Sequence, residues 1–136
     1  MRWRILAVAA AFVIATTSAR AVTEANFELR SGADLVALCG VAKDDPMRAA
    51  ALQMCEGYCV GVYQAILALT THKGLQALFC PPNPPPERNE AIAQFVDWSK
   101  NKTQYQGDRP ADFLGRFLVE VWACPKEAKP AHRSSK

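Results

Sequence analysis

The chain has 136 residues with an ordinary balance of 50% hydrophobic and 21% charged residues, which predicts a single domain with a modest core. Its formal net charge is +3, but Arg2, Arg4 and Arg20 account for all of it, so residues 22–136 are neutral overall. No basic surface that would indicate a nucleic-acid partner is therefore expected.

The N-terminus has the pattern of a secretory signal peptide. Two arginines precede an uncharged run from Ile5 to Ala15, and small residues then lead to an Ala-x-Ala pattern at 19–21. The run is shorter than the ~20 apolar residues of a membrane span, so no stable membrane anchor is expected. We predict a signal peptide over 1–21, an exported domain over 22–125 and a disordered basic tail over 126–136.

Two helices are predicted first along the chain. Ser31 with Asp34 forms a capping-box pattern, and Gly40 ends the short apolar run that follows. Asp45 is the expected cap of a second helix over about 46–72, which is apolar on most sides. We expect the other helices to surround it.

Two glycines interrupt this long helix one turn apart. Gly57 and Gly61 flank Tyr58, and we expect them to allow close approach of a neighbouring helix, with a bend as the alternative. Tyr58 should then be buried, together with Val62, Ile66 and Leu69.

The second half of the chain starts with a proline-rich connector over 80–86, which excludes helix and inner strand. A third, amphipathic helix follows from Glu87 to about Lys100. A loop over 101–109 leads to a fourth helix starting at Pro110, with Asp108 as a candidate cap. No segment shows the sustained alternation of apolar and polar residues that is typical of a β-strand. The predicted fold is all-α, a compact bundle of four or five helices around a long central helix, stapled by disulfides.

An exported protein forms disulfides by default, and this chain has five cysteines. Cys55 and Cys59 are unlikely to bond each other, because helical residues four apart place their Cβ atoms ~5–6 Å apart, beyond the ~3.5–4.5 Å of a disulfide. The spacing does not fit a Cys-x-x-Cys redox pair either. With His72 and His132 as the only histidines, a zinc site is also not expected.

Catalytic patterns are missing from the sequence as well. His72 near a helix end is expected as a cation favoured by the helix dipole. The acid pairs Asp44/Asp45 and Glu87/Glu90 lie at predicted helix starts, where carboxylates are expected for capping the helix alone. We therefore predict a binding protein that is not an enzyme and needs no cofactor or metal.

Four segments together resemble the Rap/Tai family of immunity proteins, with matching order over about 27–125. These segments are Ala33 to Cys39, Cys55 to Gly61, Cys80-Pro81 and Phe117 to Pro125. Characterised members are small helical proteins of the periplasm that bind and block peptidoglycan amidase toxins of type VI secretion. The resemblance implies a periplasmic inhibitor with a protein partner. A homodimer is left open, as are a periplasmic acid-stress chaperone of the Hde type and a structural envelope protein.

The resemblance also indicates which cysteine is unpaired. The family usually has an aliphatic residue at the position of Cys59, which implies that Cys59 is the free thiol. We favour Cys39 with Cys55 and Cys80 with Cys124, while the sequence leaves other pairings open.

A protein interface is predicted at the loop after the third helix. Trp98, Tyr105 and Arg109 are residue types enriched at binding hot spots. The alternative is that Trp98 extends the apolar face of its helix and Tyr105 covers the core. The stiff connector over 82–86 is a rival surface.

Overall fold

The computed structural model of the protein describes residues 21–72 and 76–126. The predicted signal peptide, apart from Ala21, and all but the first residue of the predicted tail lie outside the described residues. The α-helices are α1 (Gly32–Cys39), α2 (Arg48–His72), α3 (Arg88–Ser99) and α4 (Pro110–Val121), with 3₁₀ turns at Glu24–Glu28 and Thr103–Tyr105. Since the described residues contain no strand, the predicted all-α class is confirmed.

α1 begins at its predicted cap, whereas α2 begins at Arg48, two residues after its predicted start. The Ser31 hydroxyl accepts from the Asp34 amide at 3.3 Å, and the Asp34 carboxylate accepts from the Ser31 amide at 3.0 Å. Asp45 accepts from the amide of Met47 at 2.8 Å and from the amide of Val22 at 2.9 Å. Asp45 therefore both caps the turn before α2 and holds the N-terminal segment of the domain.

The start of α4 differs from its prediction. Pro110 is the first helical residue, as expected, but the cap position is Arg109 and no side chain caps this end. The candidate cap Asp108 was wrong, because its carboxylate accepts instead from Arg116, nearly two turns inside α4, at 3.2 Å.

The core forms where α1 lies against the other three helices. Leu35 and Leu38 of α1 are fully buried. Phe95 of α3 lies edge-on to Phe113 and Phe117 of α4, with ring centroids 5.8 and 5.5 Å away. Edge-to-face aromatic pairs stabilise beyond the area they bury, so this triplet fixes α3 against α4.

Only part of the long helix is enclosed. Ala51 and Cys55 near the start of α2 are fully buried, and Tyr58, Val62 and Ile66 are half-buried. Farther on, Leu67 and Leu69 are 36% and 58% exposed, so the expected burial of Leu69 was wrong. The reason is that the neighbouring helices cover mainly the N-terminal half of α2.

The helix-packing prediction for Gly57 and Gly61 was also wrong. Both glycines are exposed, and a Cβ at either position would have no atom within 4 Å. At 3.6 residues per turn, they lie about 200° and 240° around α2 from Cys55, on the face away from the core. Close approach occurs instead at Gly32, where a Cβ would lie 2.7 Å from the Phe113 ring.

Two disulfides close the bundle with the favoured pairing. Cys39 to Cys55 joins the last residue of α1 to α2, and Cys80 to Cys124 joins the connector to the segment after α4. The Cys80 amide also donates to the Trp122 carbonyl at 2.6 Å. Among the helices described, none combines the length and apolar character that a membrane crossing requires.

Candidate functional site

Trp98 lies at the junction of α3 and α4. Its ring is 5.0 Å from Phe113 and 5.7 Å from Phe117 between centroids, and its indole N–H donates to Glu120 at 3.1 Å. The side chain is half-buried. Trp98 thus extends the apolar face of α3, as the alternative interpretation proposes, while its polar edge reaches the surface.

A lysine completes the surroundings of this tryptophan. Lys102 Nζ lies 2.6 Å from Glu120 Oε2 and 5.6 Å from the centre of the Trp98 ring. The hydrogen bonds from Lys102 and then Trp98 lower the pKa of Glu120, outweighing the opposite effect of burial. Glu120 is therefore a carboxylate at neutral pH, held in one position by two donors.

Tyr105 closes the 3₁₀ turn before α4. The Arg116 guanidinium lies 4.1 Å from the centre of the Tyr105 ring, which is within cation–π range. Arg116 also donates to Asp108 at 3.2 Å. Tyr105 is half-buried, so part of the ring remains available to a partner.

Arg109 is the most exposed of the three predicted interface residues, with 83% of its side chain accessible. Its Nε donates to Asp112 at 2.7 Å, and this hydrogen bond, together with the charge of Asp112, raises the pKa of Arg109. Since Arg109 lies just before α4, its position is set by the first turn of that helix.

The partners of these side chains follow one stripe of α4. Asp112, Arg116 and Glu120 are four residues apart, so they lie one above another over about 12 Å of helix. We call the resulting surface the charged face. It consists of Trp98, Lys102, Tyr105, Asp108, Arg109, Asp112, Arg116 and Glu120.

The charged face brings together the three predicted residues without direct contact between them. Each reaches a different residue of the α4 stripe. The sequence reasoning missed the stripe itself. The four-residue spacing of opposite charges from Asp112 to Glu120 is the signal that could have found it.

The rival surface is the proline connector. Pro82, Asn83, Pro84 and Pro85 are exposed, and the peptide between Asn83 and Pro84 is cis. The disulfide of Cys80 anchors one end of the connector.

Three sulfur atoms cluster between α1 and α2. Those of Cys39, Cys55 and Cys59 lie within 4.8 Å of one another, but the first two are bonded together. Burial raises the pKa of the Cys59 thiol to about 12, so this side chain is neutral and behaves as a small apolar group.

Comparison with known protein families matches residues 31–124 to the Rap1a immunity proteins. The chain belongs to this family. In this Rap1a family member, the matched residues include both disulfides and the whole charged face. Comparisons with curated proteins and with solved structures found no significant match.

Proposed function

We propose that this protein is exported to the periplasm, where it binds and neutralises a peptidoglycan amidase toxin delivered by type VI secretion. The observation that carries the proposal is the family match over residues 31–124. The two disulfides support it, because disulfides persist in oxidising compartments such as the periplasm.

The proposed mode of action is stoichiometric binding. An immunity protein protects the cell by covering the toxin, so its effect depends on complex stability and not on turnover. Such a protein needs a preset surface, since ordering side chains on binding weakens the complex.

We place the toxin contact on the charged face. Tyr105 and Arg109 offer hot-spot chemistry at its accessible end, and Arg116 and Asp112 hold them in position. The three cations and three anions of this face balance, which favours a partner surface of mixed charge over a strongly acidic or basic one.

The test is titration of a cognate amidase with variants of the mature protein. Tyr105→Ala and Arg109→Ala should each weaken inhibition at least about tenfold, the loss expected for hot-spot truncation. Gln53→Ala, at an exposed position of α2, is the matched control and should inhibit like the wild type, as should a chain truncated after Pro125. Circular dichroism checks that every variant is folded.

Three results would contradict parts of the proposal. Loss of inhibition only on removing residues 126–136 would move the site to the tail. Loss with Pro82→Ala alone would move it to the connector. Failure to bind any amidase would overturn the immunity function and favour a chaperone or structural role.

A further inference from the structure

An apolar pocket of about 310 Å³ lies between α2, α3, α4 and the proline connector. Its floor includes the buried side chains of Phe95, Phe117 and Leu118. Tyr63 and Trp122 form one wall, with ring centroids 6.3 Å apart. Phe95 and Phe117 form an aromatic layer beneath the pocket. Trp98 contacts both rings but does not line the pocket, so the charged face lies on the other side of this layer.

The mouth of the pocket is marked by its two exposed lining residues, Pro85 and Arg88. Among the described residues that line the pocket, Arg88 is the only charged one. It is 61% exposed, and its nearest carboxylate oxygen, on Glu56, is 3.5 Å away, which is long for a hydrogen bond. Because such an exposed pair contributes little, the guanidinium can turn to another carboxylate at small cost.

The interior of the pocket offers almost no competing polar chemistry. Cys59 lines it as a neutral thiol, since burial raises its pKa to about 12. The remaining walls are aliphatic, aromatic or proline side chains. A ligand that fits therefore has an apolar body and one anionic end.

The volume limits the length of that body. At ~30 Å³ for a group the size of a water molecule, 310 Å³ accommodates about ten such groups. One alkyl chain of roughly eight to twelve carbons has this size, whereas the paired long chains of a phospholipid do not fit.

We propose that this pocket binds a free medium-chain carboxylate, with the alkyl chain against Phe95, Phe117 and Leu118 and the carboxylate at Arg88. Burial of each methylene should strengthen binding about fourfold until the pocket is full. This site is separate from the charged face, so the proposal does not depend on inhibition of a toxin.

The first test uses decanoate brominated at its terminal carbon, because bromine quenches nearby tryptophans. In residues 22–136 the tryptophans are Trp98 and Trp122, and only Trp122 lines the pocket. With Trp98→Phe, the remaining fluorescence of Trp122 should be quenched saturably. With Trp122→Phe, quenching should be much weaker.

The second test measures the contributions of the carboxylate and of the alkyl chain to binding separately. Arg88→Gln should weaken decanoate binding at least about fivefold and leave decanol binding unchanged, while Arg30→Gln, outside the pocket, should change neither. Filling the pocket by Ala91→Leu should abolish binding of both molecules. Circular dichroism and denaturation confirm that each variant keeps its fold.

Several outcomes would overturn the proposal. These are no saturable quenching by the brominated decanoate at millimolar concentration, equal quenching of both tryptophan variants, or equal losses of decanoate and decanol binding with Arg88→Gln. Affinity that keeps rising from decanoate to hexadecanoate would contradict the size of the pocket. Binding to phosphatidylglycerol vesicles without binding of free decanoate would assign this surface to a membrane instead.

Discussion

The Asp34 carboxylate hydrogen-bonds to two neighbouring parts of the chain. It accepts from the amide and hydroxyl of Ser31 at 3.0 and 2.9 Å and from the Asn26 side chain at 3.0 Å. Burial alone would raise the pKa of Asp34, but these hydrogen bonds outweigh it and lower the pKa below 3.8. Asp34 therefore joins the 3₁₀ turn at Glu24–Glu28 to the start of α1.

The lowered pKa predicts how acid affects stability. The contribution of Asp34 is fully present above the pKa of about 3.9 in the unfolded chain and is lost as the pH falls through the lower folded value. Asp34→Asn should reduce the free energy of unfolding by about 1–2 kcal/mol at neutral pH, and this difference should shrink well below pH ~3.9. Urea titrations at both pH values measure it.

The matched control for this prediction is Asp44→Asn, at an exposed position with no side-chain hydrogen bond to a described residue. It should leave the free energy of unfolding within about 0.5 kcal/mol of the wild type. A difference between wild type and Asp34→Asn that stays constant with pH would contradict the assigned role of the carboxylate.

The exposed glycines of α2 predict a stabilising substitution. A side chain at Gly61 meets only open space, and alanine restricts the unfolded chain more than glycine does. Gly61→Ala should therefore raise the free energy of unfolding by about 0.4–1 kcal/mol. Gly32→Ala should lower it, because the new methyl group would lie 2.7 Å from the Phe113 ring. Thermal melts of the two variants should shift in opposite directions, and a lower melting temperature for Gly61→Ala would be inconsistent with the structure.

At the scale of elements, the helix starts were predictable and the packing faces were not. Ser31 with Asp34, Asp45 and Pro110 mark starts within a few residues of chain, and the structure uses all three signals. The sequence around Gly57 and Gly61 does not indicate which face of α2 packs against another helix. That choice depends on α1, which the Cys39 to Cys55 disulfide holds against the opposite face.

The candidate site was predictable to the same degree. Trp98, Tyr105 and Arg109 stand out as residue types, but their neighbours on α4 come from contacts across the chain. Arg116 over the Tyr105 ring is an example, since the two belong to different elements. The pocket was missed because its lining comes from α2, α3, α4 and the connector together.

The two disulfides should differ in their contribution to stability. Cys80 and Cys124 are 44 residues apart and Cys39 and Cys55 are 16 apart, so chain entropy alone predicts losses of about 4 and about 3 kcal/mol on removing them. We expect the Cys80→Ala/Cys124→Ala variant to have the larger entropic loss and to release the connector. Cys39→Ala/Cys55→Ala adds a cavity, because both side chains are buried.

Denaturation of the wild type and both double variants measures these losses. Peptide mapping of the unreduced wild type should show Cys59 as a free thiol. Unchanged unfolding midpoints for both variants, or a bridged Cys59, would contradict this account.

In the whole molecule, the helical bundle presents two separate surfaces. The aromatic layer of Phe95 and Phe117 lies between the charged face, at Trp98, and the pocket, at Trp122. The charged face has balanced, internally paired side chains, which suits a rigid protein partner. The pocket is apolar with one cation at its mouth, which suits a small amphiphile.

We propose that this member of the Rap1a immunity protein family blocks an amidase. The most direct measurement is hydrolysis of peptidoglycan peptides by each type VI amidase of the same genome, titrated with the mature, oxidised protein. We predict that one amidase loses activity in proportion to added protein and is fully inhibited at a fixed molar ratio. Full activity of every amidase in the presence of excess folded protein would contradict the claim.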